Sequence, residues 1–224
     1  MNTIQPESYS QRSFIYRQFS GEKSVDNTFM QVAGGVLVLS TGNDSDAPGL
    51  IDLSLVPRAG FRGVNAEQYL NSMGFPVPAL PNQAAMTSQG DWVLRLSQKE
   101  FWLLSHPQQN VCDRVEGYAL PERGCYPLYC QDSHTWFAMT GKHCPDILAK
   151  VCGVDLRAAS FPPGAIAQTS VARVNAIIIH HVIGSEQVFS IMSDSASATY
   201  LWEALLDAMA EYEGQVYGLN KLIE

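Results

Sequence analysis

Hydrophobic and polar positions along the chain follow one order twice. Residues 52–74, DLSLVPRAGFRGVNAEQYLNSMG, run from a polar start through an alternating apolar stretch to a glycine, then a short amphipathic segment closed by another glycine. Residues 132–153, DSHTWFAMTGKHCPDILAKVCG, keep the same order. In the first copy Ile51, Leu53 and Leu55 alternate with their neighbours and Phe61 resumes the run past Pro57, the period of two expected of a strand. Ala66, Tyr69, Leu70 and Met73 then fall at i, i+3, i+4 and i+7, one face of a helix, with Asn65 in the N-cap position and Gly74 as its stop. In the second copy Trp136 and Met139 precede Gly141, Ile147, Leu148 and Val151 form the stripe, and Gly153 ends it.

Each copy leads into a predicted β-hairpin, at 93–105 and at 175–193, so the repeat reads as a β-α-β-β unit. Two such units, about 50–105 and 132–212, predict an α+β fold with internal pseudo-symmetry in a single domain over 29–224. Ahead of them, 30–40 reads as one strand in which Gly34 and Gly35 permit a bend or bulge. Residues 106–131, with a turn at PERG, and 159–170, with Pro162 and Pro163, read as linkers. The chain ends in a helix near 196–212, with Tyr200, Leu201, Ala204, Leu205 and Ala208 on one apolar face and Asp194 or Ser195 as its cap. Residues 1–28 are polar and aperiodic, which predicts a loosely packed arm.

Composition narrows the class. The 224 residues carry 22 acids against 14 lysines and arginines, a formal charge of −8, so a nucleic-acid partner, which needs clustered cations, is not expected. No run reaches the about 20 apolar residues of a membrane helix. Cys112, Cys125, Cys130, Cys144 and Cys152 are an odd set behind a polar start, which predicts reduced thiols in the cytoplasm.

Chemistry-bearing patterns are sparse. The sequence lacks C-x-x-C, G-x-S-x-G, H-E-x-x-H, G-x-G-x-x-G and the P-loop pattern, so no catalytic residue and no metal site is assigned. Cys125, Cys130 and His134 are the nearest approach to a ligand cluster, and free thiols are the simpler reading. His180 and His181, adjacent in a strand, must face opposite ways, one packed and one exposed. Within AQTSVARVN, at 167–175, Gln168, Ser170, Arg173 and Asn175 place polar groups beside a strongly apolar strand, a candidate pocket or interface. Trp92, Trp102 and Trp136 are either interface anchors or core.

The segment AKVCGVDLRAASFPPGAIAQTSVARVNAIIIHH with VFSIMSDSASATYLWEALLDAM resembles the C-terminal half of the gamma subunit of heterotetrameric sarcosine oxidase. VPALPNQ, SQKEFWLLS and DSHTWFAMTG resemble the rest of that subunit more loosely, and GLIDLSLVPRAGFRGVNAEQYL is similar to the opening of the glycine-cleavage aminomethyltransferases, whose folate-binding domain shares the fold. The resemblance leaves room for tetrahydrofolate. It maps Glu186 onto a folate-binding Gly-Glu motif, with Ser190 where a second glutamate is expected. Gly74, Phe75 and Pro76 after the first helix supply no acid. The resemblance therefore implies a non-catalytic partner of larger alpha- and beta-type flavoprotein subunits, which carry FAD, FMN and NAD and demethylate sarcosine or a related N-methyl amino acid. A free-standing folate-binding or aminomethyltransferase-like protein is the alternative.

Overall fold

The computed structural model describes residues 6–19, 27–43, 45–116, 119–121 and 123–223. Two strands, β1 (Thr28–Val32) and β2 (Gly35–Ser40), form a hairpin that turns at Ala33 and Gly34. The single bent strand expected there is thus two strands, because the glycine pair ends one and starts the next. The chain then follows β3 (Gly49–Asp52), β4 (Arg58–Arg62), α1 (Ala66–Ser72), β5 (Gln83–Met86), β6 (Trp92–Arg95), β7 (Glu100–Leu104), α2 (Val111–Glu116), β8 (Tyr126–Leu128) and α3 (Cys130–Ser133). It continues with β9 (His134–Thr140), α4 (Cys144–Ala149), β10 (Ile166–Val171), β11 (Val174–Ile183), β12 (Glu186–Asp194), α5 (Ala198–Met209), β13 (Gln215–Val216) and α6 (Asn220–Ile223).

The repeat is real and one strand longer than its sequence pattern. One sheet runs β5-β6-β7-β4-β8 and the other β10-β11-β12-β9-β3-β13. Strand, helix and three further strands occur in each unit, β4-α1-β5-β6-β7 and β9-α4-β10-β11-β12, and the four strands take the same order in both sheets. The stretches read as linkers therefore hold β8, α2 and α3, and β10. The strands that precede the units are exchanged. β3, which leads into β4, pairs with β9 of the second unit, while β8, which leads through α3 into β9, pairs with β4 of the first. Pro57 marks the crossing in the first copy, which is why the apolar run from Ile51 to Phe61 lies in two sheets.

Alternation within the strands builds four layers. Val93, Phe101 and Leu103 face α1 and α2, packing with Leu70 and Val111, while Trp92, Leu94, Trp102 and Leu104 on the opposite face meet Trp136, Ala138, Ile179 and Met192 of the second sheet. The outer face of that second sheet, with Phe137, Ile178 and Ile191, is covered by α4 and α5 through Ile147, Leu148, Leu201, Trp202 and Leu205. All three tryptophans considered as anchors are buried, as are both His180 and His181. Both faces of the strands are covered, so neither histidine of the pair is left for solvent. Tyr200, by contrast, is exposed on α5, and Trp202 takes the place expected of it in the core.

The ends of the two equivalent helices differ. α1 closes with a left-handed Gly74 whose N–H donates to Asn71 O (3.0 Å) while Phe75 N–H donates to Leu70 O (3.2 Å), the paired bonds of a Schellman motif. Asn65 occupies the N-cap position without capping, since its side chain donates instead to Arg123 O. α4 ends before Gly153, with Cys152 N–H bonding Leu148 O (2.8 Å) and Cys152 bridging Val171. The N-terminal stretch expected as a loose arm is packed over its described part, where Ile15 and Phe19 enter the core and Ser13 donates to buried Asp52. Among the described residues no helix is long and apolar enough to cross a membrane.

Candidate functional site

The two sheets meet edge to edge as well as face to face. Ala84 N–H donates to Gly164 O (2.7 Å) and Ile166 N–H to Asn82 O (3.0 Å), joining β5 to the start of β10. Above this join opens a cleft of about 890 Å³ walled by both units. Arg62, Glu100 and Trp102 line it from the first sheet; Gln168, Arg173, Asn175, His134 and Asp194 line it from the second.

The position of each group follows from strand register. Arg62 and Glu100 are cross-strand partners on β4 and β7, so their side chains share a face and pair, Arg62 Nε to Glu100 Oε2 at 2.9 Å. Glu100 Oε1 also accepts from Trp102 Nε1 (3.2 Å). Asp194 and His134 are partners on β12 and β9. Asp194 Oδ1 accepts from Ala196 N–H (2.8 Å), capping the turn before α5, as the sequence suggests. Burial, and then the Arg58 charge, lower the pKa of His134, whose ring meets Trp102 edge-on at 4.8 Å.

The sequence-predicted residues divide. Arg173 and Asn175 do face the cleft together. Gln168 lines it too, but its amide is a staple, donating to Asn82 Oδ1 (2.7 Å) and Leu96 O (2.6 Å) across the join between units. Ser170, opposite Asn175 in register, is exposed and outside the lining. Glu186 is not part of this site. It begins the nine-residue β12 that ends at Asp194, roughly 26 Å away along the strand, and accepts a bond from Thr140 Oγ1 (2.9 Å). Arg62, Glu100 and Asp194 were missed as cleft residues because the two units meet only in the fold, through the β5–β10 join and their packed faces, and spacing along the chain carries no sign of it.

Ser190 is closed off. It is fully buried, accepting from Trp136 Nε1 (2.7 Å) and bonded to His181 Nε2 (2.6 Å), and His181 in turn meets Trp92 edge-on at 5.2 Å. Burial, with His180 as a second cause, lowers the His181 pKa to about 3, so the ring is neutral near pH 7. A pterin would have to displace these aromatic side chains, so the residues around Ser190 do not fit folate. Phe75, after the first helix, is likewise core, with the Arg114 guanidinium 4.3 Å above its ring. Arg114 also pairs with the buried carboxylate of Asp91 (3.0 Å), which sequence reading passed over. Among the described residues no three His, Cys, Asp or Glu side chains are grouped to hold a metal ion.

Comparisons with known proteins agree with this architecture. No curated protein sequence matches the chain. One chain of the heterotetrameric sarcosine oxidase from Corynebacterium sp. U-96, solved in complex with pyrrole 2-carboxylate, is similar with a TM-score of 0.64 and 21% identity, over 77% of this chain and 89% of that one. The glycine cleavage system aminomethyltransferase T from Bartonella henselae is similar with a TM-score of 0.63 and 18% identity, over 92% of this chain and 59% of that one. At these identities the likeness is one of fold. Residues 45–222 match the model of the GCVT N-terminal domain, and the chain belongs to that family.

Proposed function

We propose that the chain is an accessory, non-catalytic subunit of gamma type in a heteromeric complex of the sarcosine-oxidase kind, which oxidatively demethylates sarcosine or a related N-methyl amino acid. The observation that carries this reading is the filled interior at Ser190. Trp92, Trp136 and His181 occupy the space beside it, so the duplicated scaffold persists with a solid core where the resemblance expects a second glutamate. At the cleft the acids are engaged in structural bonds, Glu100 with Arg62 and Trp102 and Asp194 with Ala196. Larger flavoprotein partners would supply FAD, FMN and NAD. The fold likeness to a chain of a heterotetrameric sarcosine oxidase and five free thiols suited to the cytoplasm support the assignment.

Co-expression with the large flavoprotein subunits from the same genome tests it: a stoichiometric complex with N-methyl amino acid oxidising activity is expected. A chain that stays alone while those subunits assemble and turn over without it would overturn the reading. Tetrahydrofolate titration separates the free-standing folate-binding alternative, which requires saturable binding by the isolated chain.

A further inference from the structure

We infer that the cleft between the two units is a protein docking surface in which Arg173 anchors a carboxylate carried by a segment of the larger partner subunit. The inference rests on the accessory-subunit reading and names the contact through which it would operate. Its starting point is the turn from β10 to β11, where Val171 and Val174 pair and only Ala172 and Arg173 lie between. Both have left-handed backbones, φ +48° and +69°. A two-residue turn of this kind favours Asn-Gly, and side chains with a Cβ are strained in it. Turn geometry therefore disfavours arginine here as it does alanine at 172, and of the two only Arg173 lines the cleft.

The backbone that carries it is fixed. Ala172 N–H donates to Val151 O (2.8 Å) and Tyr200 Oη donates to Ala172 O (2.9 Å), tying the turn to the chain beyond α4 and to α5. A fixed backbone has little freedom left to lose when a carboxylate arrives, so the ordering cost falls on the arginine side chain alone. Among the described residues Arg173 has neither an ion pair nor a hydrogen bond. Of the neighbouring acids, Glu100 pairs with Arg62 and Trp102 and Asp194 Oδ1 caps the turn into α5, and neither bonds Arg173. Arg173 is exposed, so its guanidinium is open to a carboxylate from outside the molecule.

The walls favour a polypeptide over a small ligand. The lining mixes Arg62, Glu100, Asn175 and Asp194 with Trp102, Ile177 and Met192, and arginine, tryptophan and methionine are the types enriched at protein interfaces. One wall comes from each unit, so a segment lying in the cleft would bridge the pseudo-symmetric halves.

The test uses the full chain co-expressed with its flavoprotein subunits, comparing wild type with Arg173→Glu, Arg173→Gly and the control Arg157→Glu, an exposed cation outside the cleft. Wild type and the control should assemble alike. Arg173→Glu should weaken assembly by roughly 100-fold, with a steeper loss at low salt. Arg173→Gly should also weaken assembly while raising the melting temperature of the isolated chain, since glycine relieves the turn; a merely structural role predicts no such split. Equal assembly of all four proteins overturns this inference alone. Failure of wild type to assemble overturns it together with the accessory reading. Saturable sarcosine binding by the isolated chain, lost in Arg173→Gly with assembly unchanged, would overturn docking in favour of a small-ligand pocket.

Discussion

Arg58 Nη2 donates to Gln131 O at 2.6 Å, and through this contact the two strand exchanges of the fold are fastened to each other. Arg58 opens β4 just after the first crossing; Gln131 lies in α3, inside the second. The same guanidinium donates to Cys130 O (3.0 Å), Ser54 O (3.4 Å) and His134 O, while Gln131 returns bonds from its side chain, Oε1 accepting from Arg58 N–H (2.9 Å) and Nε2 donating to Ser54 O (3.1 Å). Burial lowers the Arg58 pKa to about 10, so it stays charged near neutrality and its cost is offset by the carbonyls it satisfies.

Removing this clamp should be expensive. Arg58→Met leaves several buried carbonyls without a donor, and we expect a loss of about 3 kcal/mol or more in urea unfolding. Arg58→Lys should recover little of it, because a single ammonium cannot reach carbonyls spread around a planar fork. A Lys variant as stable as wild type would show that charge alone, and not the fork, holds the crossings.

The equivalent glycines that join strand to helix in each unit give an internal comparison. Gly63 has φ +141° and a Cβ there would lie 2.1 Å from Gly124 O; Gly141 has φ +107° and its Cβ would meet Pro48 Cα at 3.0 Å. Both substitutions are strained and both meet backbone, but the first contact is far closer, so more must shift to relieve it. Gly63→Ala should therefore cost more than Gly141→Ala, by about 1 kcal/mol or more, in parallel denaturant melts. Equal losses would mean that the loop at Gly124 yields.

The same comparison shows what the sequence made legible. Strand, glycine and helix were readable in both copies because their signals are local: apolar period, a left-handed position and a helix stop at Gly74. The extra strands β5 and β10 were not, since QAAM and IAQTSV are short and mixed in polarity and become strands by pairing with neighbours. The strand exchange was invisible, because Ile51 and Phe61 look alike in sequence while their partners, Ala138 and Phe101, lie in different sheets. At the cleft Arg173 and Asn175 were paired on strand alternation, but Arg173 lies in the turn before β11, and Glu186, tied to the same pocket by motif, sits at the far end of its strand.

His181 makes acid stability a readout of the filled interior. Its folded pKa is lowered to about 3 from an unfolded value near 6.5, so between these values the unfolded chain binds a proton that the folded chain refuses. Stability attributable to this residue is therefore present above about pH 6.5 and is lost as pH falls, at up to about 1.4 kcal/mol per pH unit. Asp52 has the opposite sign: burial raises its pKa, so its contribution declines as pH rises through the folded value. The difference between wild type and His181→Gln isolates the histidine, and the variant should show a shallower loss of stability from about pH 6 to 4 in urea melts. Parallel pH profiles would indicate that the ring is hydrated and titrates normally.

The N-terminal stretch offers the last test, because its polarity hides two buried anchors. Ile15 is 1% exposed, and Phe19 meets Trp202 of α5 edge-on at 5.7 Å, so the segment covers the outer helical layer. Ser13 donates to Asp52, whose carboxylate is also held by Ser54 N–H (2.9 Å) at the end of β3, next to the first strand crossing. Ile15→Ala should cost about 2–4 kcal/mol through the cavity it leaves. Ser13→Ala should cost about 1–3 kcal/mol while Asp52 is ionised, because a buried carboxylate then loses a donor, and less once acid protonates it. Urea melts of both variants on either side of the Asp52 transition would show this: the Ile15 loss should be nearly independent of pH, and the Ser13 loss should shrink in acid. If both losses were negligible, the segment would be the loose arm that its composition suggests, and Asp52 would owe its place to Ser54 alone.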